Sequence, residues 1–317
     1  MASELAGLVT KEQSGFFWVE VDDGKTYMCR LRGRLLEEAQ SSDVAAIGDR
    51  VQIDVIDDET GAITSVEPRG SVLSRAARTE GNRGAGAPER EQVIIANADQ
   101  VLFVFAAAQP TPSLRMLDRF LVIGEKSGIE RLVVVVNKVD LEGAAPTIAR
   151  FDLYSQLGYS VLHTSAKRCD GIDALRDLLK NRVSVFTGPS GVGKSSLLNI
   201  IQPGLARAVR SVSETRFEGI HTTRDSALIK LNVGGYLADT PGIRTLNIWD
   251  IEPEELDAYF VEIAPLVADC RFADCSHRTE PGCAVQKALK KGAISYSRYQ
   301  SYCSLRQELE TAFDTMY

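Results

Sequence analysis

Residues 188–195 read Gly-Pro-Ser-Gly-Val-Gly-Lys-Ser, a spacing whose chemistry is the cradling of phosphate. Gly188, Gly191 and Gly193 let the backbone turn tightly, so that the whole run (Gly188, Pro189, Ser190, Gly191, Val192, Gly193, Lys194, Ser195) offers N–H groups to an anion. The helix opening with Ser196-Leu197-Leu198-Asn199 sets its positive end on the same charge. Lys194 is placed to reach the β- and γ-phosphates of a nucleoside triphosphate, and Ser195 to offer its hydroxyl to Mg²⁺. The loop alone leaves ATP and GTP equally open.

Asn137-Lys138-Val139-Asp140 separates them. A carboxylate at Asp140 accepts two hydrogen bonds from the N1–H and N2 amino group of guanine, which adenine lacks, and a buried carboxylate left unpaired is costly. Ser165-Ala166-Lys167 follows the next predicted strand and supplies backbone N–H groups to the base. Asp239-Thr240-Pro241-Gly242 completes the set, with Asp239 holding Mg²⁺ through water and the Gly242 N–H sensing the γ-phosphate. Between them runs a polar stretch ending His221-Thr222-Thr223-Arg224, where either Thr222 or Thr223 can close over Mg²⁺ when the γ-phosphate is present.

Where many GTPases place a water-positioning glutamine after the switch glycine, this chain has Ile243. An isoleucine cannot orient a nucleophile, so hydrolysis by the chain alone is predicted to be slow. His221 is the candidate within the chain to orient water; an exposed histidine in a polar loop is the alternative.

A second chemistry stands at Cys270-x4-Cys275-x-His277-x5-Cys283. Three thiolates and an imidazole suit a closed, structural Zn²⁺ site, because a catalytic zinc would keep a position open. Asp269, Arg271, Asp274 and Arg278 make the stretch too polar for unmetallated core cysteines.

These groups need elements to hold them. Val-rich runs at 101–105, 132–136 and 183–186 alternate with helical patterns near 113–127, 146–158 and 171–181, which predicts a parallel α/β sheet covered on both faces. Each nucleotide motif then falls at the carboxyl end of a strand, where open α/β sheets bind ligands. Ahead of this unit, Phe16 to Val21 and Lys25 to Leu31 flank Asp22-Asp23-Gly24, and Arg50 to Val55 alternates apolar and polar residues. Short strands at this spacing predict a small β-barrel, a five-stranded OB-fold ahead of an SH3-like one. Residues 74–92, rich in glycine and charge, read as a flexible linker. The predicted division is barrel 1–73, linker 74–92, nucleotide unit 93–246 and helical zinc unit 247–317.

At 317 residues the chain has room for such a division. No apolar run approaches the roughly 20 residues that span a bilayer, and the first residues lack a secretory signal. The net charge of -7 argues against coating of nucleic acid by bulk attraction, while leaving room for a local basic face. Clustered cysteines point to metal and a reducing compartment rather than a disulfide framework.

Across nearly its whole length the chain resembles the RsgA/YjeQ family of circularly permuted, ribosome small-subunit-dependent GTPases. The resemblance rests on the barrel, on Asn137–Asp140 and Ser165–Lys167 preceding residues 188–195, on His221-Thr222-Thr223, Asp239–Gly242, and on the Cys270, Cys275, His277, Cys283 cluster. It implies GTP hydrolysis stimulated by the small (30S) ribosomal subunit and a role late in that subunit's maturation, checking or releasing assembly factors. It also implies 16S-type rRNA, GTP and GDP as partners, with one Zn²⁺ per chain and Mg²⁺ with GTP, and gives His221 a part in hydrolysis. The expected setting is a cytoplasmic monomer without membrane contact, or an organellar one if a transit peptide has been removed. The alternative is a regulatory GTP/GDP switch module with another RNA or protein target and negligible hydrolysis; an ATPase or kinase is disfavoured by Asp140.

For RNA the candidates are Arg30, Arg32 and Arg34, which point to one face if they share a strand, and Lys287, Lys290, Lys291 and Arg298 in the zinc unit. A solvated charged edge is the bland reading of the first group, whose barrel is otherwise acidic at Asp49, Asp54, Asp57, Asp58 and Glu59. Permutation leaves a nucleotide site intact and changes attachment: Gly242 leads through Ile243-Arg244-Thr245-Leu246 straight into the zinc unit. The 239–246 segment is thereby expected to pass the state of the γ-phosphate to that unit.

Overall fold

The computed structural model describes residues 4–33, 35, 43–76, 91–214, 226–239 and 251–316. Its centre is a six-stranded sheet, ordered β10 (Ser160–His163), β9 (Arg131–Asn137), β8 (Gln100–Ala106), β11 (Arg182–Thr187), β13 (Gly235–Asp239), β12 (Ser226–Lys230). All neighbours are parallel except β12, which runs antiparallel to β13. Val and Phe runs form these strands because both faces are covered. Phe103, Phe105, Val134 and Val136 pack beneath α1 (Leu114–Lys126) and α2 (Ala145–Gln156). Leu102, Val104, Val133 and Val135 face the other way, toward α3 (Ile172–Leu179), α4 (Lys194–Ile201) and α5 (Leu205–Glu214).

The α1 helix shows how sequence becomes packing. The Ser113 side chain caps its first turn by accepting from the Met116 N–H at 3.3 Å, a cap worth about 1 kcal/mol. Leu114, Leu117 and Leu121 recur at helical spacing and bury against the sheet, each burial being worth about 1.5–3 kcal/mol. Val122 turns instead into the core of the C-terminal unit. One helix thus serves two cores.

The N-terminal unit is a barrel of β1 (Glu4–Gln13), β2 (Phe16–Val21), β3 (Thr26–Leu31), β4 (Arg50–Val55) and β5 (Thr60–Val66). Strand β1 pairs with both β2 and β4, and β3 with β5 in parallel, which closes the barrel around Val9, Val19, Val51, Ile53 and Ile63. Closure in the order 1-2-3-5-4 is the expected five-stranded arrangement. The far end of β1 leaves the barrel and pairs antiparallel with β12, Lys11 opposite Ala227. Barrel and nucleotide unit therefore share one continuous sheet.

Three expectations need correction here. The stretch 74–92 is strand at both ends, because β6 (Val72–Ala76) pairs with β7 (Glu91–Ala96), Ser74 against Val93 and Ala76 against Glu91; a ladder partner outweighs the local glycine-rich composition. Asp49 is not part of an acidic barrel surface: it is fully buried, accepting from Arg69 at 2.9 and 2.8 Å and from the Ala46 N–H at 2.8 Å. Arg30, Arg32 and Arg34 do not share a strand, since β3 ends at Leu31. Arg30 stacks over Phe16, Arg32 pairs with Asp54 at 3.0 Å, and Arg34 lies outside the described residues.

The barrel is further fixed at Gly48, where φ is +86° and a Cβ would sit 2.0 Å from the Ala96 carbonyl oxygen, so only glycine allows this approach. The C-terminal unit contains two 3-10 turns (Pro253–Tyr259, Ala264–Asp269), α6 (Ala284–Lys290) and α7 (Tyr296–Met316). Among the described residues no helix is long and apolar enough to cross a membrane.

Candidate functional site

Strands β8, β9, β10 and β11 deliver four loops to one edge of the sheet. The phosphate loop leaves β11 at Gly188, whose φ of +148° brings it so close to the Val104 carbonyl oxygen that a Cβ would lie 2.1 Å away. Gly191 and Gly193 follow with φ of +78° and +98°. Each is a backbone state that glycine adopts without steric cost. Lys194 folds its ammonium back on the loop, donating to the carbonyls of Gly188 and Pro189 at 2.6 and 2.5 Å. Ser190, Ser195 and Ser196 are exposed on the same rim.

The predicted guanine run is bonded directly to this loop. Asn137, fully buried at the end of β9, donates its amide to the Val192 carbonyl at 2.9 Å. A Cβ at Gly193 would fall 2.3 Å from that same nitrogen. Lys138, held at φ +63°, donates to the Gly191 carbonyl at 2.7 Å and to the Gln109 carbonyl. The other end of the Asn137 amide accepts from the Ala166 N–H and the Thr164 hydroxyl, both at 3.2 Å. Ser165 completes the corner: its hydroxyl donates to Asp140 at 2.6 Å and accepts from the Arg168 N–H at 3.0 Å. That hydroxyl holds the Asp140 carboxyl below its ordinary value, keeping it an acceptor. Lys167 is exposed beside it.

Asn137, Lys138, Asp140, Ser165 and Ala166 are thus brought to one corner with residues 188–195, although 48 positions separate Asp140 from Gly188 in sequence. Asp239 ends β13 beside β11, with Val185 opposite Ala238. Its side chain lies outside the described residues, as do His221, Thr222, Thr223 and Gly242. Thr164 and the Gln109 carbonyl were not foreseen. Thr164 adjoins a recognised motif, whereas Gln109 acts through its backbone and leaves no mark in the sequence.

The second cluster gathers as its spacing predicts. Cys270, Cys275, His277 and Cys283 bring one ligand atom each to within 4.8 Å of one another. His277 Nδ1 stands 3.5 Å from the sulfurs of both Cys270 and Cys283. Its Nε2 meets the Asp257 carboxylate at 3.1 Å, the partner that orients a metal-bound imidazole. Its backbone, at φ +62°, is held by Gln286 and Tyr299, which donate to its carbonyl at 2.7 and 2.9 Å. Burial pushes the Cys275 thiol up to about 12 and raises Cys283. Cys270 moves the other way: burial raises it, but the Ala284 and Val285 N–H groups outweigh that and favour the thiolate. Three crowded sulfurs and an oriented imidazole fit a soft divalent cation such as zinc. Asp257 was missed, since nothing in its sequence spacing ties it to His277.

Of the basic residues, Lys287, Lys290 and Lys291 are exposed and have no acidic partner among the described residues. Arg298 does not join them. It is 1 % exposed, forked onto Glu262 at 2.7 and 3.0 Å and bonded to Asp118 on α1 at 2.7 Å.

The RsgA GTPase family model matches residues 66–249, and the RsgA N-terminal domain model matches residues 6–63. The chain is 44% identical to the small ribosomal subunit biogenesis GTPase RsgA of Gemmatimonas aurantiaca, over 98% of this chain and 99% of the relative. It is 42% identical to the protein of the same description from Moorella thermoacetica, over 96% and 97%. Among solved structures, YjeQ from Thermotoga maritima superposes with a TM-score of 0.77 at 36% identity, covering 97% of this chain and 99% of that one. YloQ, a circularly permuted GTPase, gives 0.74 at 30% identity, covering 98% and 96%.

Proposed function

This chain belongs to the RsgA GTPase family, and from that premise we propose that it hydrolyses GTP in response to the small ribosomal subunit, late in that subunit's assembly. The observation that carries the reading is the pair of bonds from Asn137 and Lys138 to the phosphate loop. They make base recognition and phosphate binding one structure. Family membership makes the chain a GTP-hydrolysing enzyme of small-subunit biogenesis.

Asp140 reads the N1–H and N2 amino group of guanine, with Ser165 fixing its carboxylate and the Ala166 and Lys167 N–H groups beside the base. The N–H groups of residues 188–195 and the Lys194 ammonium take the phosphate charge. Ser195, Asp239 and one of Thr222 and Thr223 would hold Mg²⁺, which would offset phosphate charge there. Water attacks the γ-phosphorus as the bond to the bridging β–γ oxygen breaks, leaving GDP and phosphate. His221 orients that water; Ile243, where a glutamine would stand, cannot. Activation by the ribosomal subunit is the natural complement to that deficit.

Cys270, Cys275, His277 and Cys283 hold a structural zinc. Lys287, Lys290 and Lys291 meet the phosphates of small-subunit rRNA, and Arg30 does so from the barrel. The working form is a cytoplasmic monomer that checks or releases assembly factors. The test is GTP and ATP turnover by purified protein, alone and with isolated small or large subunits. Stimulation of GTP hydrolysis by small subunits only, lost in Lys194→Ala, is expected. Tight GTP binding with no subunit-dependent turnover would overturn it in favour of a nucleotide-switched binding module.

A further inference from the structure

Between α1, α2 and α7 lies an open cleft of about 750 Å³ lined by residues of both the nucleotide unit and the zinc unit; its wall begins at Pro112, three residues past Gln109, where the loop from β8 turns into α1. Arg115 at the start of α1, Arg150 on α2 and Arg278 in the zinc loop all line it. We propose that this cleft binds a phosphate group, either on a small phosphorylated molecule or in an RNA backbone.

Four observations support the assignment. Among the described residues the only acidic one on the wall is Asp118, and Arg298 and the Tyr154 hydroxyl both donate to its Oδ1, each at 2.7 Å. Arg150 is exposed and has no acidic partner among the described residues. The Arg278 Nε is buried without a hydrogen-bond partner, although its Nη2 reaches Glu310 at 2.5 Å; a buried donor left unmade is costly. Arg115 is backed by Glu308 from outside the cleft wall, which engages part of a five-donor guanidinium.

Polar side chains line the opposite wall. Ser301 and Ser304 on α7 bring hydroxyls to the same space. Guanidinium forks and hydroxyls together are a donor set that phosphate oxygens take. A carboxylate ligand would leave much of that set unused.

The test uses full-length protein saturated with GDP and Mg²⁺, so that the phosphate loop is already filled. Pyrophosphate binding is followed by calorimetry, and binding of a short single-stranded RNA by fluorescence anisotropy. Arg150→Glu and Ser304→Asp place negative charge on opposite walls, and neither side chain has a hydrogen-bond or ion-pair partner among the described residues. The expected result is that both variants weaken one of the probes at least tenfold while GDP affinity holds. Loss of pyrophosphate binding identifies a small phosphorylated ligand, and loss of RNA binding alone identifies the backbone. The proposal is overturned if neither probe binds, if both variants bind as the wild type does, or if only one variant is impaired.

Discussion

Arg298 on α7 donates to Asp118 on α1 at 2.7 Å, with both side chains at most 2 % exposed. The zinc unit is therefore fastened to the nucleotide unit by a buried charge, which Glu262 shares and which lies over the Phe260 ring at 4.5 Å. Whatever the 239–246 segment transmits, it acts on a unit already anchored to the helix that leaves β8.

Replacing Arg298 by Met removes the counter-charge of two buried carboxylates. Breaking such a pair costs about 3–5 kcal/mol. Urea unfolding of Arg298→Met at neutral pH is expected to show a loss of that order, first in the zinc unit. A variant as stable as the wild type would mean that packing alone, not charge, holds α7 to α1.

Asp140→Asn removes the acceptor for two guanine donors. Each hydrogen bond to a charged group is worth about 1.5–3 kcal/mol, so GDP affinity should fall by about 100-fold or more, with no comparable loss for ADP. Ser165→Ala frees the carboxylate without removing it, and about a tenfold loss is expected. Calorimetry with both nucleotides checks the pair. Equal losses for GDP and ADP would place Asp140 in the scaffold instead of at the base.

Asp257→Ala leaves all four metal ligands in place but releases the His277 ring. Loss of such an orienting partner lowers metal affinity by about 10–100-fold. Competition with a chromophoric chelator reads this directly, and GDP affinity provides the control. Zinc held as tightly as in the wild type would sever Asp257 from the site.

Glu280 supplies a pH dependence. Burial pushes its carboxyl up, but the Ser276 hydroxyl and the backbone N–H groups of Ser276 and Thr279 outweigh this and bring it down to about 2 from an ordinary 4.5. A lowered folded value means that the ionised group stabilises the fold above the unfolded value, and that this contribution is lost as pH falls toward the folded one. With chelator present throughout, the wild type should melt above Glu280→Gln near neutrality. Their difference should shrink as pH drops below about 4.5. A constant difference would show that the carboxylate acts by shape alone.

Much of this molecule is legible in its sequence because its signals are local. Phosphate loop, guanine run and cysteine spacing each declare a chemistry within fourteen residues or fewer, and Val-rich runs mark β8, β9 and β11 nearly to their ends. Non-local pairings left no such trace. Nothing near Lys11 announces Ala227 as its neighbour, and Asp49 looks like any acidic turn until Arg69 is folded onto it. Arg298 was legible in principle: with Tyr302 and Leu305 it occupies one helical face, at i, i+4 and i+7, and those two are fully buried. Its charge drew attention to solvent when its period pointed inward.

The first strand does two jobs, closing the barrel and bordering β12. A molecule shortened to begin after the barrel would carry β12 as an open sheet border, with its ladder groups unmet. Such borders recruit other chains, so truncated copies should associate edge to edge, while intact copies are already capped by their own beginnings.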